Sequence, residues 1–102
     1  VSTEETFGPV LPVFTFKTLD EAIEKANNSI FGLGSSIWTR NLASANRAID
    51  KLQAGNVWVN SLHYGYDELP FGGVKQSGVG REHGPEALDY YLEPKGVVVV
   101  NV

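Results

Sequence analysis

The stretch "NLASANRAIDKLQAGNVWVN", residues 41–60, changes its period halfway along. Leu42, Ala45, Ala48, Ile49 and Leu52 recur at helical spacing, so they form one apolar face. Asn41 stands just before them, where a side-chain oxygen can accept from the free N–H groups of the first turn. Gly55 is placed to supply a left-handed stop. Asn56-Val57-Trp58-Val59-Asn60 is then β-branched and aromatic, the composition of a strand. A helix that runs directly into a strand is half of an α/β unit, and the rest of the chain can be read outward from it.

Upstream, Gly34–Thr39 reads as a second short strand. Before it, Leu19, Ala22, Ile23 and Ala26 mark another helical face. Thr18 and Glu21 have capping-box spacing at its start, and Asn27-Asn28 end it. Val10–Phe16 reads as a strand, with Pro12 placing it at an edge or a bulge. Downstream, residues 61–84 show neither period and form a long loop, which in a small domain is usually functional or disordered. Pro85 suits the first turn of a third helix reaching about Tyr91, and Glu93-Pro94 stop it. Lys95–Val102 is a last strand, whose unbroken valines call for burial on both faces or for a partner. The order β-α-β-α-β-loop-α-β predicts an α/β fold: a partial open sheet, mostly parallel, with flanking helices and right-handed crossovers.

The bulk numbers narrow the class. The chain has 102 residues, room for one small domain, and its 42% hydrophobic content supports a folded core. A net charge of −4 argues against nucleic acid or an anionic membrane as partner. No apolar run is long enough to span a bilayer, and no signal peptide is visible, so the default compartment is the cytosol (cytoplasmic). There is no cysteine and no methionine. Disulfides, thiolate metal sites and a cysteine nucleophile are thereby excluded from these residues.

Candidate chemistry gathers at two places. In "LPFGGVKQSGVGREHG", residues 69–84, the spacing of Gly73 and Gly78 begins a phosphate loop, but Val79 and Gly80 stand where Lys and Ser or Thr are needed. A dinucleotide fingerprint would need glycine at position 83, where the chain has His83. The glycines therefore read as turn-makers that let backbone approach closely. Lys75, Arg81, Glu82 and His83 are expected to hold structure. His63 and His83, with Asp67 and Glu82, lack the pattern of a metal site and read as ordinary histidines, so no metal is expected. No G-x-S-x-G is present for a serine nucleophile.

The second place is Glu4-Glu5-Thr6-Phe7-Gly8-Pro9. The carboxylates suit a general base, a ribose clamp or a solvated pair. Phe7 beside them offers a flat face, or is simply core. Tyr64, Tyr66 and Phe71 lie on the long loop, where aromatics line a pocket or an interface. Trp58, in mid-strand, reads as core. The valine strand is either core or an edge offered to another chain.

With these pieces in place, the chain resembles the C-terminal part of the aldehyde dehydrogenase superfamily. The resemblance rests on "EETFGPVLPV" (4–13), "ANNSIFGLGSSIWTRNLASANRAIDKLQAGNVWVN" (26–60) and "LPFGGVKQSGVGREHG" (69–84), in that order. The ending "YDELPFGGVKQSGVGREHG…YLEPKGVVV" is most similar to the semialdehyde-oxidising branch. The resemblance implies oxidation of an aldehyde to a carboxylate with NAD or NADP, through a thioester on a cysteine. It implies that Glu5 hydrogen-bonds the nicotinamide ribose, that Phe7 lies beside the nicotinamide ring and that Phe71 lines the aldehyde tunnel. It makes Leu62–Glu68 the segment that tunes substrate choice, here with His63, Tyr64, Gly65 and Tyr66. Gly65 stands where several relatives carry a bulky aromatic.

On the same grounds residues 1–94 would belong to a catalytic domain and 95–102 to an oligomerisation strand. The partners implied are the rest of a catalytic unit, or further copies joined through the Val97–Val102 strand. No catalytic residue is assigned within the chain. Without a thiol it is expected to be inactive by itself and to bind no cofactor tightly. The alternatives are a free-standing, self-associating structural module and a residual nucleotide-binding module.

Overall fold

The computed structural model describes residues 3–62 and 64–101. Helix α1 (Leu19–Asn27) starts at Thr18, whose hydroxyl accepts from the Glu21 N–H at 3.2 Å. Glu21 reaches back one residue further than the cap, to the Lys17 N–H at 2.8 Å. Strands β1 (Phe31–Gly32) and β2 (Gly34–Ile37) follow, separated by Leu33. Helix α2 (Leu42–Lys51) is capped by the Asn41 side chain, which accepts from Ser44 N at 2.9 Å. Strand β3 (Asn56–Val59) pairs parallel to β2, with Gly34 opposite Asn56 and Ile37 opposite Val59. Strand β4 (Val74–Lys75) pairs antiparallel to β1. A 3-10 helix covers Pro85–Tyr91.

The two helices pack on each other, and their contact is the buried core: Ile23 from α1, Ala45 and Ala48 from α2. Arg47 of α2 donates to the Asp20 carboxylate at the start of α1. At the far end the Asn27 carboxamide joins the helices. Its nitrogen donates to Lys51 O at 2.8 Å and its oxygen accepts from Gln53 N at 2.8 Å. Lys75 closes the same corner by donating to the carbonyls of Asn27 and Ser29.

Several expectations are corrected. Parallel pairing holds for β2 with β3 only, because β4 turns back along β1 in the antiparallel sense. The nominally structureless loop contains β4 and a bridge between Phe71 and Glu82. The third helix is the tighter 3-10 form. Gly55 is not the stop of α2, which ends at Leu52 in extended backbone. A Cβ at Gly55 would sit 1.7 Å from Gly72 O, so its hydrogen side chain serves close approach of two chain segments.

Neither Val10–Phe16 nor residues 95–101 lie in a ladder among the described residues. A strand exists only as one of a pair. The last stretch is an exposed arm, with Val98 89% exposed, and the first is an arm with Leu11 84% exposed that meets α1 at its end, where Thr15 O accepts from Lys25 Nζ at 2.8 Å. Extents of 72 × 33 × 22 Å and a radius of gyration of 18.7 Å follow from these arms. A compact chain of this length would have a radius of about 13 Å. Among the described residues no helix is long and apolar enough to cross a membrane.

Candidate functional site

Phe71 is the sequence-expected site residue that the fold holds most firmly. Its own N–H donates to Glu82 O, and its carbonyl accepts from Glu82 N, both at 2.7 Å. On the opposite side the Asn56 carboxamide completes the seat. Its nitrogen donates to Pro70 O at 3.0 Å, and its oxygen accepts from Gly72 N at 3.1 Å. The two peptide units that flank Phe71 therefore have all four of their polar groups bonded. This satisfies the requirement that partly buried backbone find partners. The phenyl ring is left to project from the plane of these bonds, as side chains do from a strand.

Beneath the ring lies an open groove of about 570 Å³, whose walls include Leu33, Phe71, His83, Ala87, Tyr90 and Tyr91. Arg81 stiffens its glycine wall by donating from one Nη to Gly73 O and Gly80 O, each at 2.8 Å. Gly72 is bare because a Cβ there would meet Gly80 O at 2.4 Å. His83 and Gly84 have φ of 58° and 66°, a left-handed pair that turns the chain toward Pro85. The turn is tied to the preceding loop at Asp67, whose carbonyl accepts from Gly84 N at 2.8 Å and whose carboxylate lies 3.4 Å from His83 Nδ1. Lys75 and Arg81 thus bond backbone carbonyls through their side chains, Glu82 takes part through its backbone, and His83 faces the Asp67 carboxylate.

The other site residues lie elsewhere. Glu5 lines a separate open groove with Glu4, Phe14, Lys25 and Phe31. Phe7 is 94% exposed and belongs to neither groove. Tyr64, Gly65 and Tyr66 are exposed along a segment held through its backbone: Tyr64 O accepts from Trp58 Nε1, and Tyr66 O from Leu69 N. His63 lies outside the described residues.

Among the described residues, clear pKa shifts are found at the helix pair. The hydrogen bond from Arg47 holds the Asp20 carboxyl below its ordinary value and raises Arg47 in return. The bond from Lys25, then that from the Lys17 N–H, holds Glu21 low.

Asn56 and Gly55 have tasks beyond those the sequence suggested, a strand residue and a helix stop. A signal existed. Asparagine is depleted in strands, so one opening a strand right after glycine has another task. The Asn27 and Asn60 carboxamides show the same habit, Asn60 accepting from Thr39 N and donating to Thr39 O.

Comparison with known proteins extends this picture. The profile of the aldehyde dehydrogenase family matches residues 1–97. The putative aldehyde dehydrogenase DhaS of Bacillus subtilis is 50% identical over 97% of this chain and 20% of its own length. The 4-trimethylaminobutyraldehyde dehydrogenase A of Danio rerio is 48% identical over 94% of the chain and 19% of its own length. The chain therefore spans about one fifth of the length of the curated relatives it matches. Among solved structures, the NAD-dependent aldehyde dehydrogenase from Sinorhizobium meliloti superposes with a TM-score of 0.89 at 50% identity, covering 94% of this chain and 19% of that one. Betaine aldehyde dehydrogenase from Staphylococcus aureus in complex with NAD+ gives 0.83 at 46% identity, covering 87% and 18%.

Proposed function

This chain belongs to the aldehyde dehydrogenase family, and from that premise we propose that it forms one wall of an NAD- or NADP-dependent aldehyde-oxidising site. The observation that carries the reading is the family match over residues 1–97, joined to the rigid seat of Phe71 within it. In this reading residues 1–94 contribute to the catalytic domain. Phe71 lines the aldehyde's path, and His63, Tyr64, Gly65 and Tyr66 tune which aldehyde fits. Glu5 accepts hydrogen bonds from the nicotinamide ribose, and Phe7 lies against the nicotinamide ring.

The residues suit that cofactor. A carboxylate is an acceptor only, with two oxygens, and matches a vicinal diol. A phenylalanine that is 94% exposed has a whole face free for a planar ring. Bound there, NAD(P) would accept the hydride. The cysteine that carries the acyl group must come from outside these residues, which hold none. We place the protein in the cytosol, and semialdehydes are the favoured substrate class.

The isolated chain is accordingly inactive. Incubating it with NAD, NADP and a panel of aldehydes should give no reduced cofactor at 340 nm. Turnover that persists through repurification would overturn this reading. A second reading, self-association without catalysis, draws on exposed Val97–Val100, each more than two thirds accessible. Light scattering separates the two: a chain that stays monomeric at high concentration removes the self-association reading.

A further inference from the structure

We infer that Asn56 is a positioning residue for substrate recognition, acting through Phe71. This inference rests on the reading that Phe71 lines the aldehyde's path. The observation is the pair of bonds from one carboxamide to the two peptides on either side of Phe71, Pro70 O at 3.0 Å and Gly72 N at 3.1 Å. The orientation of that carboxamide is fixed by chemistry. Pro70 O only accepts and Gly72 N only donates, so the amide nitrogen must face the first and the oxygen the second.

Asn56 thereby takes the place of a neighbouring strand. Glu82 bonds Phe71 from one side through its backbone, and Asn56 bonds the adjoining groups from the other through its side chain. The side chain starts from a firm base, because Asn56 is in register with Gly34 on β2 and its N–H donates to Leu33 O at 3.1 Å. Gly55, one residue earlier, lets β3 approach Gly72 more closely than any side chain would allow. The backbone at Phe71 is therefore positioned from β3, and the aim of the ring follows from it. A small displacement of an aromatic against a bound substrate changes recognition strongly.

The test uses the full-length enzyme that carries this segment, with Asn56→Asp, Asn56→Ala, Phe71→Ala and the double variant Asn56→Ala/Phe71→Ala. Asn56→Asp is nearly isosteric and keeps the acceptor for Gly72 N, but it sets an oxygen against Pro70 O. KM for a bulky aromatic aldehyde, KM for a short aliphatic aldehyde and KM for NAD are read side by side. Asn56→Ala and Asn56→Asp are expected to raise KM for the bulky aldehyde about 5- to 20-fold, the range of one or two lost hydrogen bonds. KM for NAD should change less than about 2-fold, within ordinary surface effects. In the Phe71→Ala background the Asn56→Ala substitution should add nothing, since the two act as one unit.

If Phe71→Ala leaves the bulky-aldehyde KM unchanged, the reading of Phe71 fails. If Phe71→Ala raises it while Asn56→Asp does not, or if the two substitutions multiply, the positioning role of Asn56 fails and the reading of Phe71 stands. Should Asn56→Ala not fold, Asn56→Asp and Asn56→Thr carry the comparison with the same outcomes. Equal increases in all three KM values would mark a general structural role and overturn the inference.

Discussion

At the scale of single residues, the chain uses side-chain amides where a larger sheet would use strands. Asn27, Asn56 and Asn60 each donate to one backbone carbonyl and accept from one backbone N–H. Glycine makes the complementary provision. With Gly55 pressed on Gly72, even a methyl group has no room, and the facing backbone must shift to admit it. Gly55→Ala is therefore expected to lower the stability of the assembled enzyme by about 1–3 kcal/mol, the usual cost of overpacking. Denaturant titration of the variant checks this, and an unchanged midpoint would mean that the two segments move apart freely. The identity of these residues was plain in the sequence, but their tasks were not. A glycine that ends a helix and one that admits a carbonyl look alike until the facing segment is known, and Gly72 lies far along the chain from Gly55.

At the scale of elements, both helices and their N-terminal caps were legible because helix signals are local. Thr18 and Asn41 sit beside the N–H groups they bind. Short strands were legible only in part. The β1–β4 pair consists of two residues from each side, too few to leave a period, and its partners are remote in sequence. The helix pair also carries a pH dependence. Asp20 and Glu21 have folded pKa values below their ordinary 3.8 and 4.5. A carboxylate whose pKa is depressed by folding contributes stability above its unfolded value and loses it as the pH falls through the folded one. Helical circular dichroism of the chain should therefore begin to fall as the pH drops below about 4.5, with the loss completed below the lowered folded values. High salt should blunt the effect, since Asp20 and Arg47 are exposed and screened. A helical signal with no change down to pH 2 would show that these ion pairs do not stabilise the helices.

At the scale of the molecule, the accessible surface is 8765 Å². A compact protein of this mass would expose about 5,700 Å². Part of the excess belongs to two largely apolar arms, residues 7–16 and 97–100, whose large apolar side chains are each at least half exposed. The sequence marked Val10–Phe16 and Lys95–Val102 as strands, and neither lies in a ladder among the described residues. A strand's partner is not written in the strand itself, so the pairing could not be read. In the assembled enzyme, Val98→Lys together with Val100→Lys places two charges on one face of the last arm. If that arm joins subunits, sedimentation should shift to smaller species, and an unchanged profile would remove it from the interface. The arms have one more consequence. Of the residues that carry the proposed nicotinamide contacts, Phe7 sits on the first arm and Glu5 just ahead of it, whereas Phe71 is bonded to the central framework. Regions with few buried contacts open at lower cost than the rest of a protein. On gradual warming of the full enzyme, grip on the dinucleotide should slacken first, seen as a rising NAD KM while the helices remain intact. Heat damage would thus follow a set sequence, and saturating dinucleotide should delay its first stage.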